Sequence, residues 1–525
     1  MMQDKAPMFG RTAMTTATAN AVTYFVDRHP EEGRGDKVAY REIGSGRSLT
    51  YGDMATGAAQ VAGALLRAGV RAEERAAMLV LDQIEFPQIF WGALKVGVIP
   101  IPLNTLLATS VYDAILRDSR ATTLFVSAPL WDVVKGAVAG NPYLRHVIVI
   151  GGTAEGATPY EEFLKDAAPA DTLAVSPDEV AFWLYSSGST GQPKGVAHVH
   201  SALRATSDTY GKQVLEIAED DVVFSAAKFF FAYGLGNAMT FPLSVGATTL
   251  LFAGRPTPDD MIATINAEKP TIFCGVPTLY AAMVAHMDKN GPLEAPLRTC
   301  ISAGEALPEE IGLRWEKHTG ACILDGVGST EMLHIFLSNR KDDLVYGTSG
   351  VAVPGYALRL VDEEGLDIPS GGVGELLVNG ASAANCYWNQ REKSRVTFEG
   401  VWTRTGDKYE LRDDGRLVYC GRTDDMFKVS GIWLSPFEVE GALVSHPRIL
   451  EAAVVAAEDA DGLEKPKAYI VLKEGVADAA LLAELKDHVK DKIGKWKYPR
   501  WIEVVQELPK TATGKIQRFK LREGN

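Results

Sequence analysis

Hydrophobic and polar positions along this chain change their pattern twice, and each change marks a different kind of structural unit. From about Ser48 onward, short apolar runs alternate with longer stretches of helical period. The runs TTLFVSA around Val126, HVIVIGG around Val149, TTLLFAG around Leu251, TIFCGVP around Phe273, RTCISAGE around Ile301 and ACILDGVG around Ile323 are predicted strands. They are apolar almost throughout, which predicts mostly parallel strands buried on both faces. Between them, ATGAAQVAGALLRAGV after Met54 and PEEIGLRWEKHTG predict helices. In the second, Pro308 suits a first helical position and Gly320 a C-terminal stop. This alternation is the α/β signature.

From Gly371 the pattern shortens to strands broken by turns, GELLVNG, VWTRTGDKY and RDDGRLVYCGR, which predicts a β-rich subdomain. It changes again at Pro436, where a helix (PFEVEGALVSH), two strands (EAAVVAAE, KPKAYIVLK), a long helix (ALLAELKDHVKDKIG) and a last strand (RWIEVVQEL) predict a compact α+β unit. The expected fold class is therefore α/β. A large N-terminal domain of mixed α/β sheets spans 21–423, with its β-rich subdomain over about 345–423. A small α+β C-terminal domain spans 424–525, the boundary falls in GRTDDMFK around Asp424, and residues 1–20 form a flexible tail.

Composition adds exclusions. At 525 residues, 46% hydrophobic and 23% charged, the chain has the make-up of a packed globular protein with room for several cores. Its 53 Lys+Arg against 67 Asp+Glu give a net charge of −14, which excludes a polyanion such as nucleic acid as the expected partner. Five scattered cysteines without a C-x-x-C pair fit reduced thiols in the cytoplasm. The N-terminus lacks a secretory pattern and no 18-residue uncharged apolar run occurs, so no membrane association is expected. Monomer and homodimer both stay open.

The stretch richest in chemistry is Ser186-Ser187-Gly188-Ser189-Thr190-Gly191-Gln192-Pro193-Lys194-Gly195, behind the apolar run AFWLY. Hydroxyls, glycines and one cation within ten residues are what a polyphosphate requires: convergent N–H groups, side-chain donors and a Lys to offset charge. It is not a Walker A loop, because Pro193 stands where that motif needs Gly and Lys194 is followed by Gly195 instead of Ser or Thr. The dinucleotide fingerprint is also missing, since Gly234-Leu235-Gly236 runs on to Met239. A plain Ser/Gly surface loop is the competing reading.

SSGSTGQPKG resembles the signature of the acyl-adenylate-forming superfamily of acid–CoA ligases, adenylation domains and luciferases, and the resemblance continues in the family order. Gly326-Val327-Gly328-Ser329-Thr330-Glu331 resembles the second nucleotide motif, whose Thr contacts phosphate and whose Glu helps hold Mg²⁺. Thr405-Gly406-Asp407 resembles the ribose-binding motif, Gly421-Arg422-Thr423-Asp424-Asp425 the arginine and hinge, and Pro509 to Lys515 the loop with the catalytic lysine. The resemblance implies ATP, Mg²⁺ and CoA as reactants and cofactor, with Lys515, Glu331, Thr330 and Lys194 catalytic and Glu331 with Thr190 at the metal. It places ATP or AMP against Ser186, Ser187, Gly188, Ser189, Thr190, Gly191, Gly304, Glu305, Ala306, Asp325, Gly326, Val327, Thr330, Asp407, Arg422 and Lys515. It also implies a mobile C-terminal domain that swings about Asp424, removing the Lys515 loop and bringing Ser430, Gly431 and Ile432 beside the pantetheine tunnel. Such a charge set is coherent, because a carboxylate attacking the α-phosphorus must overcome repulsion between anions.

The run Lys228-Phe229-Phe230-Phe231-Ala232-Tyr233 is too aromatic for ordinary surface, and at least two of the phenylalanines are expected in the core. With GVGSTEMLHIFLSN and GRTDDMFKVSGIWLSPFEVE, it closely resembles the benzoate– and hydroxybenzoate–CoA ligases of that superfamily. The resemblance implies a small aromatic acid lined by Phe231, Ala232, Tyr233, Gly328, His334 and Ile335, with Lys428 near the carboxylate or the adenylate. Benzoate, ring-substituted benzoates, and loading of a carrier protein instead of CoA remain alternatives. His198 and His200 form an H-x-H pair with no third ligand in view, so they are expected to position the loop and not to bind metal.

Overall fold

The computed structural model describes residues 20–187, 193–423, 425–429, 432–459, 463–494, 496–510 and 516–522, and among these the strands form six sheets. The first continuous apolar runs build a five-stranded sheet in the order Ile99–Pro102, Arg75–Leu79, Thr123–Ser127, His146–Ile150, Thr158–Pro159, with every pair parallel. Arg75–Leu79 is buried from Ala76 on and Thr123–Ser127 throughout, as strands covered on both faces must be. The helix Tyr51–Arg67 opens on a capping box in which Thr50 Oγ1 accepts from Asp53 N (3.0 Å) and Asp53 Oδ2 accepts from Thr50 N (3.3 Å). Its buried face, Met54, Ala58, Val61, Ala62 and Leu65, packs on the helix Glu85–Lys95.

A second, nine-stranded sheet runs Val351–Ala352, Ile335–Ser338, Ile323–Gly328, Thr299–Ala303, Ile272–Gly275, Val222–Ser225, Thr248–Leu251, Val38–Glu42, Ser48–Thr50. Its six central strands are parallel and only the edges are antiparallel, so the predicted parallel character holds. Pro308 is a correction: it is the N-cap of Glu309–Thr319, held extended at φ −61° and ψ 133° as the loop turns into the helix, and not the first helical residue. Gly320, at φ +71°, ends that helix as expected.

Three smaller sheets place the site. Val180–Ser187 and Pro193–Val199 form an antiparallel hairpin to which Cys386–Tyr387 adds a third strand. Ala357–Val361, Val373–Asn379, Trp402–Leu411, Phe398–Glu399 and Leu417–Arg422 form an all-antiparallel sheet, with Asp407 paired to Arg422. Towards the C-terminus, Ile449–Glu458, Glu464–Leu472 and Trp501–Val504 carry the helices Pro436–Val444 and Ala479–Ile493. They close over a core drawn from residues between Phe427 and Ile502.

Candidate active site

The hairpin register puts Lys194 opposite Ser186, and the strand Cys386–Tyr387 lies beside it, so a residue nearly two hundred positions away becomes a neighbour of the lysine. Lys194 Nζ donates to Glu331 Oε1 (2.7 Å) and to the Tyr387 hydroxyl oxygen (2.9 Å), and that hydroxyl donates to the same Glu331 oxygen (2.7 Å). Lys194 also lies 4.2 Å from the Tyr387 ring centroid. Burial alone would raise the Glu331 carboxyl, but the Lys194 charge and the hydrogen bonds from Lys194 and Tyr387 outweigh it and hold the group below the usual carboxylate range. Tyr387 moves the other way, because burial and the Glu331 charge both keep its phenol protonated.

The loop carrying Glu331 is tied down on both sides. His198 Nε2 lies 2.8 Å from the Thr330 carbonyl oxygen and its ring stacks on Phe182 at 5.2 Å. Burial lowers His198 to about 4, so the imidazole is neutral and donates to that carbonyl. Ala384 N donates to Glu331 O (2.7 Å) and Ser382 Oγ to Met332 O (2.7 Å). Leu333, buried and left-handed at φ +65°, turns the chain into Ile335–Ser338. His200 Nδ1 accepts from Ala21 N, and among the described residues no cluster of three or more metal-ligating side chains occurs.

Arg422 pairs with Asp407 at 3.2 Å and donates to Thr405 O at 3.1 Å. The Arg422 charge also acts on the Tyr387 phenol, against burial and Glu331. Gly304, Glu305 and Ala306 follow Thr299–Ala303, and Asp325 to Val327 lie in the neighbouring parallel strand with Ser302 opposite Asp325 and Ala303 opposite Gly326. Both therefore sit at carboxyl ends of adjacent parallel strands, where open α/β sheets bind ligands. Asp325 Oδ2 accepts from Leu307 N at 3.3 Å, Oδ1 is buried without a hydrogen-bond partner, and burial raises the carboxyl to about 8.

The aromatic run splits as its pattern requires. Phe229 and Phe230 are core, and Phe231, Ala232 and Tyr233 are half-buried. The Tyr233 hydroxyl lies 3.1 Å and 3.0 Å from the carbonyl oxygens of Gly275 and Ile301, so the protein itself uses the phenol and its ring serves as a wall. His334 is 2% exposed, packed among Tyr210, Tyr233 and Phe241, with Nε2 3.3 Å from the Tyr233 carbonyl oxygen; burial lowers it to about 3. It backs the Tyr233 wall as a neutral ring. Close approach explains two glycines: a Cβ on Gly236 would fall 2.3 Å from His334 Cδ2, and one on Gly328 2.6 Å from His334 O.

Gly188, Ser189, Thr190, Gly191, Asp424, Ser430, Gly431 and Lys515 lie outside the described residues, as do the side chains of Ser187, Lys428 and Ile432. Sequence reasoning missed Tyr387. Its segment, Asn385-Cys386-Tyr387-Trp388, has no chemical signature, and only the strand pairing brings it to Lys194.

Residues 26–388 match the AMP-binding enzyme family model, and residues 438–515 match the model of the AMP-binding enzyme C-terminal domain. The chain is 51% identical over 511 residues to the 4-hydroxybenzoate–CoA/benzoate–CoA ligase of Rhodopseudomonas palustris, covering 96% of this chain and 94% of that protein. It is 52% identical over 512 residues to the benzoate–CoA ligase of Thauera aromatica, covering 96% and 95%. The solved benzoate CoA ligase of Burkholderia xenovorans superposes with a TM-score of 0.88 at 49% identity, covering 96% of this chain and 99% of that one.

Proposed function

The chain belongs to the AMP-binding enzyme family, and on that premise we propose that it is an ATP-dependent aryl acid–CoA ligase whose principal substrate is benzoate. The acid carboxylate attacks the α-phosphorus of ATP, pyrophosphate leaves, and the CoA thiol then attacks the acyl-adenylate and releases AMP. The observation that carries this reading is the similarity to benzoate–CoA ligases along 96% of the chain, at an identity of 51–52%.

The chain's own residues take their parts as follows. Lys194 and Glu331 border the triphosphate, with Ser186, Ser187, Gly188, Ser189, Thr190, Gly191 and Thr330 supplying donors. Asp407 and Arg422 take the ribose side, and Gly304, Glu305, Ala306, Asp325, Gly326 and Val327 the adenine. Glu331, an oxygen donor held ionised, would hold a Mg²⁺ that arrives with the nucleotide, together with Thr190. That ion, when bound, offsets charge on the transferring group. Lys515 offsets charge at the α-phosphorus in the first step. The ring of the acid lies against Phe231, Ala232, Tyr233, Gly328 and Ile335, with His334 behind Tyr233 and Lys428 towards the carboxylate. The domain of residues 424–525 turns about Asp424 between steps and brings Ser430, Gly431 and Ile432 to the thiol. No helix of the described residues is long and apolar enough to cross a membrane, and none of the five cysteines is paired. We place the enzyme in the cytoplasm on its free thiols.

The test is AMP formation with ATP, Mg²⁺ and CoA against benzoate, its hydroxy and amino derivatives, cinnamate, acetate and octanoate. Benzoates should rank first. AMP release with octanoate or acetate above every benzoate would overturn the aryl assignment, and thioester formed only on an added carrier protein would replace CoA as acceptor.

A further inference from the structure

Among the described residues, four charged side chains assigned to the nucleotide pair with one another: Lys194 with Glu331 at 2.7 Å and Arg422 with Asp407 at 3.2 Å. A further cation nearby is Lys393, on the helix Arg391–Thr397 that follows Cys386–Tyr387. Its Nζ lies 5.9 Å from the centroid of the same Tyr387 ring on which Lys194 sits. Ser394 fixes this geometry: Tyr387 N donates to Ser394 Oγ (3.0 Å), which donates to Gln390 O (2.8 Å). Among the described residues, no carboxylate forms an ion pair with Lys393, although the side chain is half-buried.

An ammonium that forms no ion pair with a carboxylate and lies beside a second lysine is a ready partner for an anion. Burial first, and then the Lys194 charge, push the Lys393 amine below its usual value, and Glu331 opposes them. Lys194 and Glu331, the charges that act on it, belong to the pair assigned to the phosphates. We propose that Lys393 binds the triphosphate end of ATP and keeps hold of it as pyrophosphate leaves. In that step the bond from the acid oxygen to the α-phosphorus forms, and the bond from that phosphorus to the bridging oxygen breaks. The electron pair stays on pyrophosphate, and Lys393 offers N–H donors without giving up its proton. The inference rests on reading the chain as an adenylate-forming ligase.

The experiment compares Lys393→Met and Lys393→Arg with wild type and with Lys289→Met, which removes an equal charge from an exposed helix end. Expected for Lys393→Met are roughly tenfold increases in KM for ATP and in the inhibition constant of magnesium pyrophosphate. The KM for benzoate and the rate from supplied benzoyl-AMP and CoA should stay unchanged. Lys393→Arg should restore both constants to within about twofold, because it keeps the charge. Lys393→Met with wild-type pyrophosphate inhibition would overturn the proposal, as would an equal change in Lys289→Met. If wild type releases no AMP with any acid, the ligase reading fails by itself; calorimetric titration of magnesium pyrophosphate then decides Lys393, with undiminished binding by the variant refuting it. Lys393→Gln carries the comparison should the Met variant lose its cooperative melting.

Discussion

Replacing Tyr387 by Phe isolates one hydroxyl in the centre of the site. The ring and its contact with Phe398, 5.2 Å between centroids, remain, while the donor to Glu331 at 2.7 Å and the acceptor for Lys194 at 2.9 Å are lost. Glu331 and Lys194 are about one-eighth exposed, at 14% and 12%, so solvent does not simply take over the missing partner. A hydrogen bond to a charged group is worth about 1.5–3 kcal/mol, and at 1.4 kcal/mol per tenfold the ceiling is a roughly 10- to 150-fold loss. Because the Lys194–Glu331 pair survives, the expected loss in kcat/KM for ATP is at the lower end, about 10- to 30-fold. The pH profile should move as well. Glu331 has a depressed pKa and acts ionised, so activity disappears as pH falls through that pKa; removing one of the donors that depress it shifts the acid limb upward. Pyrophosphate release measured from about pH 3 to about pH 8, beside melting curves, gives both quantities. A variant within twofold of wild type, with an unmoved acid limb, would refute the assignment of this hydroxyl to Glu331.

Lys515→Ala should abolish acyl-adenylate formation and leave thioester formation from supplied benzoyl-AMP largely intact, as followed by chromatography of the two half-reactions; equal loss of both would remove the division of labour. Gly236→Ala drives a methyl to 2.3 Å from His334 and should cost about 1–3 kcal/mol of stability. Denaturant unfolding reads that cost, and KM should rise for benzoate more than for ATP. Asp325 is raised to about 8 by burial, so the folded protein holds a proton that the unfolded chain releases near pH 4. Stability from this group is therefore full below about pH 4 and is lost as pH rises towards 8. In Asp325→Asn, melting temperature between pH 5 and 8 should decline less than in wild type, and parallel curves would contradict the buried proton.

Much of the fold was legible because burial on both faces leaves its mark in composition. Continuous apolar runs rich in β-formers, such as Thr123–Ser127 and Ile272–Gly275, read as strands of a layered α/β fold, and they are. The helix 51–67 was legible by its period after Met54, while its first turn and the Thr50 cap came from the structure. The end of Glu309–Thr319 was readable from Gly320, but whether Pro308 stands inside or before the first turn depends on ψ, which proline does not fix.

Loop chemistry was legible in two ways: Ser186 and Lys194 sit in a run whose residue types suit a phosphate, whereas Glu331, Asp407 and Arg422 were assigned by the resemblance of their motifs to the superfamily. What the sequence determined by itself was thus the kind of layers, the order of the units and the groups with which the site could work. The tertiary structure alone decided how those groups are set against one another. Register across three strands brings Tyr387 to Lys194 and Glu331, and pairing of Trp402–Leu411 with Leu417–Arg422 brings Arg422 to Asp407. Packing buries His334 behind Tyr233, where its aromatic neighbours and a carbonyl keep it neutral. The physical reason is range: propensity and period act over a few residues, whereas charge pairing and desolvation depend on neighbours 137 and 193 positions apart along the chain.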